Sequence, residues 1–287
     1  MINRRSLRVK VLQLLFSYYN QVIHKQDKKK LQLEISKQLN KSILDIEKSY
    51  YDIISLLIVF KNINEEKKMI AEDELIKKSA LRFNLSKNSI INFLETNSTV
   101  IDGLIKHKND WSTKTEKIRN WYNILLQQEF YKTYISIEQP SFDEDYDFLQ
   151  NLILKFLFKY EDIQKSFEEE NIFWSEDFLI VKSMIKKTLK TLNSSNFNTF
   201  ATASLSEDIK DDVKFACSLF DCVIDNSNEY DEYISKFAKN WDFDRISLMD
   251  RTILRMGIGE MTNFSNIPLK VSINEYIDIA KNYSTPK

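Results

Sequence analysis

An all-α fold is predicted by three features of the sequence. Glycine and proline are scarce, with only Gly103, Gly257 and Gly259 and Pro140, Pro268 and Pro286 in 287 residues. Sheet turns and phosphate-cradling loops need these residues often, whereas long helices avoid them. Leu, Ile, Lys, Glu and Asn are abundant and hydrophobic residues make up 43% of the chain. Finally, apolar residues recur at helical spacing over much of the length. The length allows one large domain or two ordinary ones, with ample material for a packed core.

The first helix is expected from about Asn3 to His24. Leu7, Val11, Leu14, Tyr18 and Val22 form one apolar stripe, and Leu12, Phe16, Tyr19 and Ile23 form a second on another side. A helix apolar on two sides is buried between layers or covered by a partner. Arg5 and Arg8 lie beside the first stripe and Arg4 near its edge, so all three are expected to reach solvent. After a lysine-rich break at 25–30, Leu31 to Lys61 reads as one or two amphipathic helices. The segment 62–110 is polar and Asn-rich with weaker periodicity, and Trp111 to Ile137 reads as helical. Gln139-Pro140-Ser141 is a clear break, followed by helices over 143–160 and 175–192 and a loop over 193–204.

Farther along, Glu207 to Asn226 and Asn228 to Asn240 read as helices. Ser247 with Asp250 resembles a capping box opening a helix through Met261. Beyond the break around Pro268, Ser272 with Glu275 forms the same pattern at the start of another. No internal repeat at solenoid periods is present.

The net charge of −1 hides a strong asymmetry. Residues 1–30 carry eight Arg and Lys against Asp27 alone, whereas 138–177 carry twelve Asp and Glu against three lysines. Such a distribution suits one face that attracts a polyanion and another that repels it. Cys217 and Cys222 fit neither a disulfide framework nor a metal knuckle and read as small buried residues of a reducing compartment. The longest apolar run, Ile53 to Phe60, is far short of the roughly 20 residues of a membrane span. Arg4-Arg5-Ser6-Leu7-Arg8 superficially looks like a twin-arginine signal, but Lys10, Gln13, Ser17 and Asn20 interrupt the apolar run after it and no small-residue cleavage site appears. A cytoplasmic protein is expected.

Enzyme chemistry finds little support. His24 and His107 are the only histidines, neither with metal-ligand spacing, and no nucleophile elbow occurs. Gly257-Ile258-Gly259 lies in a helix without a preceding strand, so close helix packing explains it better than nucleotide binding. Arg251 and Arg255, at i,i+4, read as ordinary surface ion-pair residues. The acidic stretches near Asp143 and Glu168 read as solvated helix faces. No cofactor or metal is expected.

The stretch Asp250-Arg-Thr-Ile-Leu-Arg-Met-Gly-Ile-Gly-Glu260, then Ile267-Pro-Leu-Lys-Val-Ser-Ile-Asn-Glu275 and Ile279-Ala-Lys281, resembles the NusB family. The family pattern there is an Ile/Leu-Leu-Arg helix ending in an acid, an "IP-x-KV-x-INE" entry and an "AK" one turn later. Arg4 to Phe16, with Arg-Arg-x-x-Arg and Leu-Gln-x-Leu-Phe, is similar to the family's arginine-rich first helix. Two departures stand out. Residues 25–205 look like the long insertion of extended NusB proteins of the Bacteroidetes type, a branch that Trp241-Asp-Phe-Asp-Arg245 and Tyr283-Ser-Thr-Pro-Lys287 also resemble. The family pattern also continues into a Phe-Val/Ile-Asn-Gly-x-Leu-Asp helix that the 287 residues do not reach.

The resemblance implies two small helical bundles with a long helical insertion. Residues 1–24 would be the arginine-rich first helix, 25–205 the insertion, and 206–287 the C-terminal bundle without the family's last helix. It implies a non-enzymatic antitermination factor that binds boxA-like single-stranded RNA with NusE, a small-ribosomal-subunit protein. That pair joins the RNA polymerase antitermination complex with other Nus factors, usually in ribosomal RNA synthesis. RNA contacts would come from Arg4, Arg5, Arg8 and Lys10, with Lys281 and Lys287 flanking the RNA-proximal C-terminal loop. Phe16 and Tyr19 would face NusE. The other class to be weighed is a helical protein–protein scaffold that binds no RNA. The NusB-like domain of an RNA cytosine methyltransferase is disfavoured, since no Rossmann-type glycine motif is present.

Overall fold

The computed structural model describes residues 1–23, 25, 27–73, 83–192, 197–238 and 242–284. They form helices and connecting turns, with no strand among them. In chain order the α-helices are α1 (Arg4–Val22), α2 (Lys28–Asp73), α3 (Asn84–Lys87), α4 (Ser89–Thr96), α5 (Ser98–His107), α6 (Thr115–Leu125) and α7 (Glu129–Ser136). After these come α8 (Phe142–Asn151), α9 (Glu161–Glu170), α10 (Trp174–Lys190), α11 (Ile209–Asp225), α12 (Ser227–Phe237), α13 (Leu248–Asn263) and α14 (Leu269–Tyr283). A π-helical segment, Leu152–Leu157, continues directly from α8.

Two compact units result. One comprises residues 2–44 and 205–287, the other Met1 and 45–204. Helix α2, 46 residues long, contributes its first part to one and the rest to the other. In the first unit α1 packs on α11 and α13, and α13 packs in turn on α11, α12 and α14. Its core includes Leu7, Leu12, Leu15 and Phe220, all fully buried. In the second unit, Tyr50, Phe60, Trp121, Tyr122, Phe156 and Trp174 are fully buried.

The Asn-rich segment that looks irregular as a sequence is a run of short helices, because its asparagines cap them. Asn88 Oδ1 accepts from the backbone N–H groups of Ile90 and Ile91, and Asn97 accepts from Val100. Buried asparagines satisfy the core there: Asn64 donates to Tyr122 Oη (2.8 Å), and Asn84 donates to the carbonyls of Tyr134 and Ile137. Asp145, expected on a solvated face, is buried and accepts from Ser89 N–H (2.7 Å), Ser89 Oγ (2.6 Å) and Tyr134 Oη. Ser141 and Glu144 form a full capping box at the start of α8.

The C-terminal capping patterns divide. Ser247 caps α13 as its spacing predicts, accepting from Asp250 N–H at 3.1 Å. Ser272 caps nothing. Helix α14 begins a turn earlier at Leu269, where Pro268 supplies the entry with φ −60°, and Ser272 is buried inside it. Of the first-helix expectation, Asn3 is the cap, accepting from Ser6 N–H at 2.8 Å; His24 lies outside the described residues.

Gly103 sets the approach of α5 to α2. A Cβ there would sit 2.1 Å from two ring atoms of Tyr51, which is itself buried against Tyr50 and stacked on His107. Gly103→Ala is therefore expected to destabilise by roughly 1–3 kcal/mol through overpacking, in spite of alanine's better helix propensity. Thermal unfolding followed by circular dichroism checks this; a variant with an unchanged or raised midpoint contradicts it.

Candidate nucleic-acid interface

The N-terminal turns of α1 present three arginines, and the structure treats each differently. Arg8 does not reach solvent as its sequence position suggests; only 2% of it is exposed. Its Nε and Nη2 donate to the two carboxylate oxygens of Glu260, each at 2.7 Å, and Glu260 is wholly buried. Glu260 also accepts from Ser272 Oγ (2.7 Å) and Tyr276 Oη (2.9 Å). Four donors thus meet both carboxylate oxygens, and α1, α13 and α14 are tied at one point. Burial opposes the charge on Arg8, but the hydrogen bonds and charge of Glu260 outweigh it and hold the guanidinium pKa above its ordinary value. Burial, and after it the charge of Glu260, pushes the Tyr276 phenol well above its usual range, so it stays a donor.

Arg4 and Arg5 remain at the surface. Arg5 forms a two-point pair with Glu275 (2.8 and 2.9 Å) and reaches Asp278 at 3.0 Å, with about half of its side chain exposed. Its hydrogen bonds hold Glu275 below the usual carboxylate range. Arg4 pairs with Asp211, lies 3.6 Å from Asp212, and places its guanidinium 4.3 Å above the ring of Phe215. The arginines, Phe215, Asn266, Ile267, Val271 and Glu275 line a groove of about 440 Å³. It combines guanidinium groups, an aromatic ring and hydrogen-bonding side chains, the combination that unpaired nucleotides engage.

Lys10 is buried, with 1% exposed, contrary to a lysine on a solvated face. Lys281 is exposed and pairs with Asp278 at 3.1 Å, the same carboxylate that Arg5 reaches, so it belongs to the rim of this acidic and basic cluster. Lys287 lies outside the described residues.

On the second apolar stripe of α1, exposure rises along the helix. Leu12 is fully buried, Phe16 and Tyr19 are half-buried, and Ile23 is 76% exposed. Tyr19 donates to the Val223 carbonyl (3.4 Å), and burial pushes its pKa up to about 12. Over its ring, at 4.5 Å, lies the guanidinium of Arg255. Arg255 is not a surface ion-pair residue; it is 7% exposed and forms a two-point pair with Asp231 of α12 at 2.7 and 2.6 Å. Asp231 and the stacking on Tyr19 carry no signal at the i,i+4 spacing with Arg251. The glycines of α13 serve packing: a Cβ at Gly259 would meet Val223, Cys222 and Tyr230 at 3.2–3.3 Å, and one at Gly257 would meet Tyr276 at 3.5 Å.

Stability should respond to these contacts in two ways. Glu260→Gln leaves the buried Arg8 with only the more distant Glu275, 3.9 Å away, as counter-charge and should cost about 3–5 kcal/mol in urea unfolding, whereas Arg5→Ala should cost at most about 1 kcal/mol. A Glu260→Gln loss no larger than that of Arg5→Ala would mean that the buried pair does not organise the bundle. The second response is to pH. Because Glu275 has a depressed folded-state pKa, its contribution is complete above the unfolded-state value and is lost as pH falls through the folded one. Stability should therefore decline on acidification below the ordinary glutamate range, and Arg5→Ala should flatten that part of the profile; parallel profiles would contradict the pairing.

No helix among the described residues is long and apolar enough to cross a membrane. The NusB family profile matches residues 178–287, from within α10 to the end of the chain. The chain is similar to the transcription antitermination protein NusB of Chloroherpeton thalassium, 40% identical over 90 residues, which are 30% of this chain and 43% of that protein. It is similar to the protein of the same name from Salinibacter ruber, 47% identical over 73 residues, 25% of this chain and 46% of that one. To the Dictyoglomus thermophilum protein it is 33% identical over 102 residues, 36% of this chain and 71% of that one. The chain spans about half the length of most of the curated relatives it matches. No solved structure matches it. With Glu260, Ser272 and Glu275 all inside the matched stretch and one relative covered over 71% of its length, the chain belongs to the NusB family, and the relatives it matches carry the name transcription antitermination protein.

Proposed function

We propose that this protein is a cytoplasmic antitermination factor. It binds boxA-like single-stranded RNA jointly with the small-subunit ribosomal protein NusE and joins the RNA polymerase complex with other Nus factors. The observation that carries this reading is the groove beside α1, with Arg4 and Arg5 at its surface and Phe215 between Arg4 and Arg8. Exposed ion pairs contribute only about 0–1 kcal/mol, so Asp211, Glu275 and Asp278 can give up Arg4 and Arg5 to phosphates at little cost. Guanidinium groups then pair with phosphate at two points or stack on an unpaired base. Arg8 and Lys10, being buried, act by holding α1 in place. Lys281 extends the basic rim, and Lys287 is read as a further RNA contact. Phe16 and Tyr19 form the NusE-facing side, where Arg255 fixes the Tyr19 ring. Residues 25–205 are read as the insertion.

One observation favours the scaffold reading instead: Arg4, Arg5 and Arg8 all have acidic partners, so the basic helix is electrically compensated. The two readings separate in a binding titration of the purified chain, with and without NusE, against boxA-like and scrambled single strands. For RNA binding, NusE raises the affinity and boxA is preferred. Arg4→Ala/Arg5→Ala then weakens binding at least tenfold and reduces the salt slope by less than the roughly 1.4 that two uncompensated cations would give, because both are already paired with carboxylates. RNA binding that is absent, or indifferent to these arginines with NusE present, establishes the scaffold.

A further inference from the structure

Unit 45–204 carries a second basic surface, and it differs from α1 in one physical respect. The acid-rich stretch ends at Asp177, and the next acidic residue is Glu207. Between them the only charged side chains are Lys182, Lys186, Lys187 and Lys190, all on α10. Lys186, Lys187 and Lys190 are exposed; Lys182 is half-buried, its ammonium 5.3 and 5.9 Å from the ring centroids of Phe178 and Phe158. Among the described residues none of the four has a carboxylate partner, and the one polar contact of Lys187 is with Met1 Sδ at 3.3 Å. Lys87, Lys108, Lys155 and Lys159 of this unit are likewise exposed without a carboxylate partner among the described residues, so what sets the α10 lysines apart is their regular spacing on one helix, while four others are paired. Lys106 meets Glu47, Lys117 meets Glu169, Lys132 meets Glu129 and Lys165 meets Glu161.

Helix-dipole compensation accounts for Lys187 and Lys190, which occupy the last turn of α10. It does not account for Lys182 and Lys186. Lys182, Lys186 and Lys190 succeed one another at i, i+4 and i+8. They form a ridge with steps of roughly 6 Å along the axis and about 80° of arc. Like charges at i,i+4 disfavour the helix slightly; the Phe178 and Phe158 rings beside Lys182 and the helix end beside Lys190 relieve part of this, but among the described residues no carboxylate does. A row of flexible, strongly hydrated point charges fits a linear polyanion and reads no sequence.

We infer that the lysine ridge of α10 is a second contact for single-stranded RNA, sequence-independent and separate from the α1 groove. This rests on the RNA-binding reading above. It divides the labour: the arginine groove supplies selection, and the ridge supplies affinity through counterion release.

The test compares the whole chain carrying Lys182→Gln/Lys186→Gln/Lys190→Gln with one carrying Lys117→Gln/Lys132→Gln/Lys165→Gln. The second set removes the same charge from lysines that are already paired. Both are titrated with boxA-like and scrambled RNA beside Arg4→Ala/Arg5→Ala, after circular dichroism has confirmed native helicity. The ridge variant is expected to weaken both RNAs alike, by about tenfold at low salt, and to reduce the salt slope by roughly 2, with the paired-lysine variant changing affinity less than about twofold. Equal losses in the two lysine variants would reduce the effect to net charge and overturn the inference. Displacement of RNA from the wild-type chain by polyglutamate as readily as by competitor RNA would overturn it in favour of an acidic protein partner. If the arginine variant loses binding and the ridge variant does not, this inference alone fails; if the wild type binds no RNA even with NusE, the RNA reading falls and takes the ridge with it.

Discussion

The buried contact between Arg8 and Glu260 is the constraint on which the first unit depends. Removing a carboxylate and a guanidinium from water costs several kcal/mol per ion, and mutual attraction repays this only when geometry and hydrogen bonding are complete. Here they are: two parallel bonds join the ions, and Ser272 and Tyr276 fill the remaining acceptor positions of the carboxylate. Such a junction adds little net stability over a well-packed apolar contact. Its effect is selective, because any rotation of α1 or slip of α14 leaves a buried charge unpaired.

With one arginine fixed inside, the two preceding it are fixed outside. A helix advances about 100° per residue, so Arg4 and Arg5 leave the helix on either side of the Arg8 direction. Arg4 thereby reaches α11 at Asp211 and Phe215, and Arg5 reaches α14 at Glu275 and Asp278. Helix α13 can sit centrally because Gly257 and Gly259 let Tyr276, Val223 and Tyr230 come close. The same helix therefore presents Glu260 to α1 and Arg255 to Asp231 and Tyr19, a buried ion pair on one side and a partly buried one on another.

Fold class and helices α10 to α14 are legible in the sequence because long periodic runs between clear breaks leave few alternatives. Chemistry at single residues is much less so. Ser272 and Glu275 fit a capping box by spacing, but the carboxylate of Glu260, twelve residues back, claims Ser272 and Arg5 claims Glu275. Nothing within a local window distinguishes a cap from a buried donor. Arg8 and Arg255 look exposed because charged residues seldom lie inside, and the rule fails where a counter-charge arrives from another helix. Helix α9 escapes a reading by periodicity because its acidic residues mask Ile163, Ser166 and Phe167, which are the ones buried. Its sequence alone offers only a short, weak stripe.

Compensation of the α1 arginines changes how a polyanion would bind there. A basic patch with free ammonium groups gains by releasing counterions from the nucleic acid, and its affinity falls steeply with salt. At a compensated patch the phosphate must also displace a carboxylate, and each displaced Asp or Glu leaves a negative charge near the strand. Rising salt then weakens the internal pair along with the RNA contact, so the two screening effects partly oppose one another. Strong, indiscriminate attraction is therefore suppressed at the groove, and tight binding there requires contacts beyond charge, from an aromatic face or a partner that moves the acids aside. Discrimination between strands is a property of such a site, whereas uncompensated lysines bind any strand. Arg4, stacked on Phe215 while paired with Asp211, holds both kinds of contact in one side chain.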